Sequence, residues 1–281
     1  MLHALVSLFA ITAPAAAGPV LQPVPLSEES YAETYTAVAA MDDGSFVLLQ
    51  LLFTNAGFGD RKGACRALWV PPGGTGINAS TSVDKGDWAY DSASDALTVG
   101  PCRLGTSGGG LQFVARLDGL SVTLDLDGRA DSTRPPDHRI ASGDAFHESD
   151  IVVARADARA VVKAGGRTLE QKGAAHLDHS RSTTLLPRIA RCWVRFRGFE
   201  GGSPALLQVR LPPKGGAARA WSWALSESTP TAGPTSNVQL RSGNDGTPQL
   251  TVGPYTVEAG NAIYRYRPTE SYGAVGKLAA P

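Results

Sequence analysis

The sequence has no excess of either charge: Lys plus Arg and Asp plus Glu both total 26 in 281 residues, for a formal net charge of zero. Without a long-range positive field there is little to draw the chain onto phosphate backbones or anionic lipid, and no nucleic-acid partner is expected. Beyond the amino terminus there is no apolar run of the roughly 20 residues that a bilayer-crossing helix requires, so no integral membrane segment is expected in the mature chain. Cysteine is scarce. Cys65, Cys102 and Cys192 are far apart and form no CxxC, which argues against a thiolate metal site. They read either as small buried hydrophobes or, in an oxidising compartment, as one disulfide with Cys65 and Cys102 as the candidate pair.

Catalytic signatures are also lacking. There is no GxSxG nucleophile elbow and no GxGxxG after a strand. His147-Glu148 is followed by Ile151 where an HExxH zinc motif needs its second histidine. Gly108-Gly109-Gly110 lacks the Lys-Ser/Thr of a phosphate loop and reads as a turn. Common hydrolases, NTPases and dehydrogenases are disfavoured, and no cofactor or metal is implied. Asn78-Ala79-Ser80 fits a glycosylation sequon, a triplet frequent by chance.

What is present begins with an apolar segment, Ala4 to Ile11, followed by Ala15-Ala16-Ala17 before Gly18. It is too short to span a bilayer but suits a signal peptide over residues 1–17, although its n-region offers only His3 and the terminal amine. An exported protein, periplasmic or secreted, is expected. The remaining chain is punctuated by 32 glycines and 19 prolines, and helical periodicity is hard to find. Leu120 to Asp127 alternates apolar and polar residues as a strand with one wet face does, whereas Ser45 to Thr54 is apolar on both faces. Many such short strands predict an all-β barrel or sandwich architecture. The polar stretch Asp131 to Asp144, with Pro135-Pro136, is the best divide between two β units, 18–135 and 136–281.

Potential chemistry concentrates in 172–199. In an extended chain His176 and Asp178 share one face and His179 lies on the other. An aspartate beside histidine can orient imidazole for acid–base work, or the group can simply pin the chain through hydrogen bonds. In the next strand Cys192, Val194 and Phe196 form one face; Arg191, Trp193, Arg195 and Arg197 form the other. An outward arginine face is the favoured reading, because arginines are mostly exposed. Turned inward, it would need carboxylate partners or an anionic ligand group. Trp221, Trp223 and Leu225 also share a face, as a core or as a cavity lining.

The pattern GxxHLDHSRS…LPRxAxxWVRFRGF over 173–199 resembles the second-domain signature of the survival-factor proteins first described in yeast. More distantly it resembles the AttH-like and carotenoid 1,2-hydratase (hydroxyneurosporene synthase) group. Phe46–Asp60, Trp88-Ala-Tyr90 and Val99-Gly-Pro-Cys102 look like first-domain strands of that superfamily. The resemblance implies two packed lipocalin-like β-barrels. It further implies an apolar pocket for a lipid, carotenoid, polyketide or isoprenoid, with a link to oxidative-stress survival in one branch and hydration or cyclisation of a polyene in others. By position Asp178 and His179 match the motif's Asp-His. A hydratase-like mechanism would need Asp178 protonated, but Ser180-Arg181-Ser182 stands where the hydratases have Asn-Trp-Gly, and Arg181 beside Asp178 would lower the carboxyl pKa.

The leading expectation is therefore a binding protein for a hydrophobic small molecule or lipid, with Arg181, Arg195 or Arg197 meeting a polar head and Trp193, Trp221 and Trp223 lining the cavity. The alternative is an enzyme using Asp178, His176 and His179 on an alkene. A third class is a module whose enclosures are filled by its own side chains.

Overall fold

Strict alternation builds the first half of the protein. In the computed structural model, which describes residues 20–55, 60–128, 134, 138–190, 192–198, 204–212, 219–225, 230–235, 238–242, 248–252 and 255–258, nearly every element is a strand. The expected signal peptide at 1–17 lies outside the described residues. The first nine strands are β1 (Ala32–Met41), β2 (Phe46–Thr54), β3 (Lys62–Val70), β4 (Ile77–Val83), β5 (Trp88–Asp91), β6 (Ala96–Val99), β7 (Cys102–Ser107), β8 (Gly110–Leu117) and β9 (Leu120–Asp127). In β9 Leu120, Val122, Leu124 and Leu126 are buried and the residues between them are not, as the sequence predicts. In β2 Val47, Leu49, Leu51 and Phe53 are fully buried while the other face is only half-covered, so that strand is less enclosed than its composition suggests.

Next come β10 (Arg139–Ser142), the long strands β11 (Ala145–Ala164) and β12 (Arg167–Ser182), and a single helical turn α1 (Leu186–Ile189). The link between β11 and β12 is Gly165-Gly166, both at positive φ, the geometry of a two-residue hairpin turn. The strands pair in the order β4-β3-β2-β1-β12-β11-β9-β8-β7-β6-β5, with β10 added to β11, as one 12-stranded sheet. It curls into a nearly closed, lipocalin-like barrel. Its edges β4 and β5 are consecutive in the chain, and β3 packs against the far side at Gly63. A Cβ there would lie 3.0 Å from Val83 and Val99 and 3.2 Å from Trp88, so a larger residue would push the walls apart.

This barrel is packed with its own side chains. Tyr31, Tyr35, Phe53, Phe113 and a set of leucines are fully buried in one continuous core. A disulfide joins Cys65 on β3 to Cys102 on β7 inside that core, with Cα atoms 6.3 Å apart. The segment before β1 adds a further plug. Leu21 is fully buried, the Val20 and Leu21 amides donate to Asp95 at 3.1 and 3.2 Å, and the Val24 amide donates to Glu33 at 3.0 Å.

The remaining strands are β13 (Cys192–Arg197), β14 (Pro204–Leu211), β15 (Arg219–Leu225) and β16 (Pro230–Thr235) in one sheet, and β17 (Val238–Ser242), β18 (Pro248–Val252) and β19 (Tyr255–Glu258) in another. Leu207, Val209 and Leu250 tie the two sheets together. The divide expected at 135/136 does not separate the sheets. Although it lies beyond that point, the β11–β12 hairpin closes the first barrel, since β12 pairs with β1 and β11 with β9. Antiparallel pairing follows complementary edges rather than chain order, so β11 and β12 share one sheet with the strands that precede them.

Candidate functional site

Because β12 is a shared wall, its alternation sends neighbouring residues to different compartments. Ala175 and Leu177 lie in the first barrel's core, and so does His179. Its ring stacks on Tyr35 at 4.3 Å and 6°, and its Nε2 lies 2.6 Å from Glu33 Oε1. Glu33, fully buried, also accepts hydrogen bonds from the hydroxyls of Tyr31 and Tyr35. Burial, with the Glu33 charge adding to it, drives both phenols well above their ordinary pKa, so they remain donors. His179 thus belongs to a clamp that holds the entry segment in place, away from Asp178.

His176, Asp178, Ser180 and Ser182 face the other way, towards the second unit. His147, Ser149 and Ile151 on β11 stand opposite Ser182, Ser180 and Asp178 on the same face. Over this strip runs β13. The inward alternative holds for its arginines, correcting the favoured outward reading. Arg197 Nη2 donates to Asp178 Oδ2 at 2.7 Å, and Arg195 Nη1 reaches Asp178 Oδ1 at 3.5 Å. A buried carboxylate is the partner that makes their burial tolerable. Trp193, on the same face of β13, lies against His147 with ring centroids 5.0 Å apart.

The electrostatics follow from this packing. Burial alone would raise the Asp178 pKa, but Arg195, the hydrogen bond from His176 and Arg197 together outweigh it and hold the carboxyl far below its usual range. Arg181 pairs with Glu148 on β11, which Arg139 also contacts at 3.1 Å, and the two cations keep Glu148 ionised against the burial that opposes it. The expectation of Arg181 beside Asp178 is corrected accordingly. His176 is pushed down by burial and by Arg197. Its Nδ1 lies 3.3 Å from the Ala154 carbonyl and its Nε2 3.3 Å from Asp178, so a neutral ring donates to only one of them at a time. His147 is lowered to about 4, by burial first and then by Arg195.

Two cavities lie along the strip. One, beside Asp178 and walled by Ile151, Phe196, Leu206 and Leu207, has a volume of about 20 Å³, room for about one water. The other, about 170 Å³, lies between Thr34, His147, Ser180, Ser182, Leu185 and Leu186. Leu185 and Leu186 are exposed large hydrophobics. Among the described residues no cluster of three potential metal ligands occurs, and no helix is long and apolar enough to cross a membrane.

Of the residues singled out from sequence, the fold brings together His176, Asp178, Arg195 and Arg197. It leaves His179 and Arg181 on the opposite face of β12, Arg181 paired there with Glu148. Trp221 and Trp223 lie on β15, but their side chains are outside the described residues. Sequence reading missed the role of His147, Ser149 and Asp150, all buried. The available signal was HESD, a polar tetrad running straight into the apolar Ile151-Val152-Val153.

No protein-family profile and no curated protein matches the chain. Solved structures do. An AttH-like protein from Nitrosomonas europaea superposes with TM-score 0.61 at 10% identity, covering 82% of this chain and 79% of that one. CghA gives 0.50 at 11% identity over 86% and 93%. Kievitone hydratase from Nectria haematococca gives 0.48 at 8% identity over 80% and 73%. The chain shares the overall lipocalin-like fold of the AttH-like protein and CghA.

Proposed function

We propose that this protein binds a hydrophobic small molecule in its second unit, on the face of β12 that carries Asp178, Ser180 and Ser182. The observation that carries this reading is the contrast between the two compartments. The first barrel is filled by its own core and cross-linked by a disulfide, whereas the strip has an open cavity of about 170 Å³ flanked by exposed Leu185 and Leu186. Exposed apolar side chains rimming a polar-floored cavity are what an amphiphilic guest requires. A member of this fold, CghA, has been solved with Sch210972. Export agrees with the disulfide, since such bonds persist in oxidising compartments.

Catalysis on an alkene is the second reading, favoured by the buried His176–Asp178 pair. A proton-donating carboxyl must be neutral, however, and Asp178 is held ionised by two guanidinium groups. In an enzyme Asp178 would orient His176, and the acid would be another group. Extraction of the protein from its native host with organic solvent, followed by mass spectrometry, tests the binding reading. A stoichiometric apolar molecule is expected, absent from a Leu186→Glu variant; an empty extract, with no uptake of added apolar probes, would overturn it.

A further inference from the structure

We infer that the group this cavity receives is an uncharged hydroxyl or carbonyl on a ring-sized apolar body, met by the imidazole of His147. The inference rests on the binding reading above and concerns the chemistry of the head.

Several charges beside the strip are already paired. Asp178 holds Arg195 and Arg197, Glu148 holds Arg181 and Arg139, and Arg134 lies 3.2 Å from Asp150. The cavity hydroxyls are partly committed as well. Thr34 and Ser180 share a hydrogen bond of 2.8 Å, and Ser182 donates to the Thr184 carbonyl at 2.7 Å. His147 stands apart. It lines the cavity, only 4% of its surface is exposed, and neither ring nitrogen has a hydrogen-bond partner. A buried imidazole without partners is costly, so a ligand atom that completes it is strongly selected.

The form of that atom follows from the ring. Neutral imidazole offers one N–H donor and one acceptor, and a hydroxyl satisfies either while a carbonyl satisfies the donor. A carboxylate entering here would find Arg181 already bound to Glu148 and would be buried without a counter-ion, which is far costlier than burying a neutral group. Size limits the guest too. A cavity near 150 Å³ accommodates a benzene ring, so 170 Å³ holds a ring-sized body, and any longer tail leaves past Leu185 and Leu186. Trp193 packs against the imidazole with ring centroids 5.0 Å apart.

The test is calorimetric titration of the intact protein near neutral pH with three probes of matched shape: para-hexylphenol, para-hexylbenzoate and hexylbenzene. The phenol is expected to bind about tenfold more tightly than hexylbenzene, the difference one hydrogen bond supplies, with the benzoate weakest. His147→Phe keeps a ring against Trp193 and is expected to erase the difference between phenol and hexylbenzene while leaving hexylbenzene affinity within about twofold; His147→Gln, which restores a donor and an acceptor, is expected to recover part of it. Benzoate binding as well as phenol, or phenol no better than hexylbenzene on the wild-type protein, would overturn the head-group inference alone. Failure of all three probes to bind would bring down the binding reading and the inference with it.

Discussion

Asp178 on β12 and Arg197 on β13 meet at 2.7 Å across the space between the shared sheet and the second unit, both largely buried. This pair, with Arg195 and His176, holds β13 down over the strip. Removing one partner leaves an uncompensated buried charge, whereas removing both does not. Arg197→Met is therefore expected to destabilise the protein by about 3–5 kcal/mol, and Arg197→Met with Asp178→Leu by distinctly less. Urea unfolding of the two single variants and the double variant reads the coupling.

Acid should weaken the fold in two stages with the same sign. His147 has a folded-state pKa of about 4, below the value near 6.5 of the unfolded chain. The unfolded state therefore takes up its proton first, and stability present above about pH 6.5 is lost as pH falls towards 4, by ~3 kcal/mol in total. Asp178, depressed further, keeps its contribution until pH falls below the unfolded carboxylate value near 4. Urea midpoints between about pH 8 and 4.5 are expected to fall in the wild type and to fall less steeply in His147→Phe, with His176 supplying the residual slope.

The alternation of the sequence revealed parity but not direction. It placed His176 and Asp178 opposite His179, and Trp193 with Arg195 and Arg197, and those groupings stand in the structure. It could not tell which side of either strand faces protein, because an arginine face and a buried ion-paired face have the same spelling until a carboxylate partner is located. Asp178 was in view but its pairing with β13 required tertiary structure. Other partners are farther away still: Glu33 and His179 are 146 residues apart, and Arg181 and Glu148 33. The pairing of β11 and β12 with the strands that precede them was hidden for the same reason, since sheet order is a nonlocal property.

Glu33 organises the plug in the first barrel. Its carboxylate takes the Val24 amide, two tyrosine hydroxyls and His179 Nε2. Glu33→Ala orphans several buried donors together and is expected to cost about 3–5 kcal/mol. Hydrogen exchange should quicken at Val24, while Asp95→Ala should free Val20 and Leu21 instead. Equal exchange in both variants would mean that the segment is not clamped at two separate points.

The Cys65–Cys102 bond spans a sequence separation of 37 and is buried at both ends. Its loss through Cys65→Ala with Cys102→Ala is expected to cost about 2–4 kcal/mol, mainly by freeing the unfolded chain. In the native protein the bond should resist dithiothreitol and become reducible on addition of urea, which thiol alkylation with mass spectrometry follows.

The central claim is that a guest lies on the outer, second-unit face of β12 and not within the first barrel. Photolabelling with an alkyl phenol carrying a diazirine, followed by peptide mapping, tests it most directly. The account predicts cross-links confined to peptides bearing His147, Ser180 to Leu186 and Trp193. Labels on β2, β3 or β7 to β9, or labelling that an excess of unmodified hexylphenol does not suppress, would contradict it.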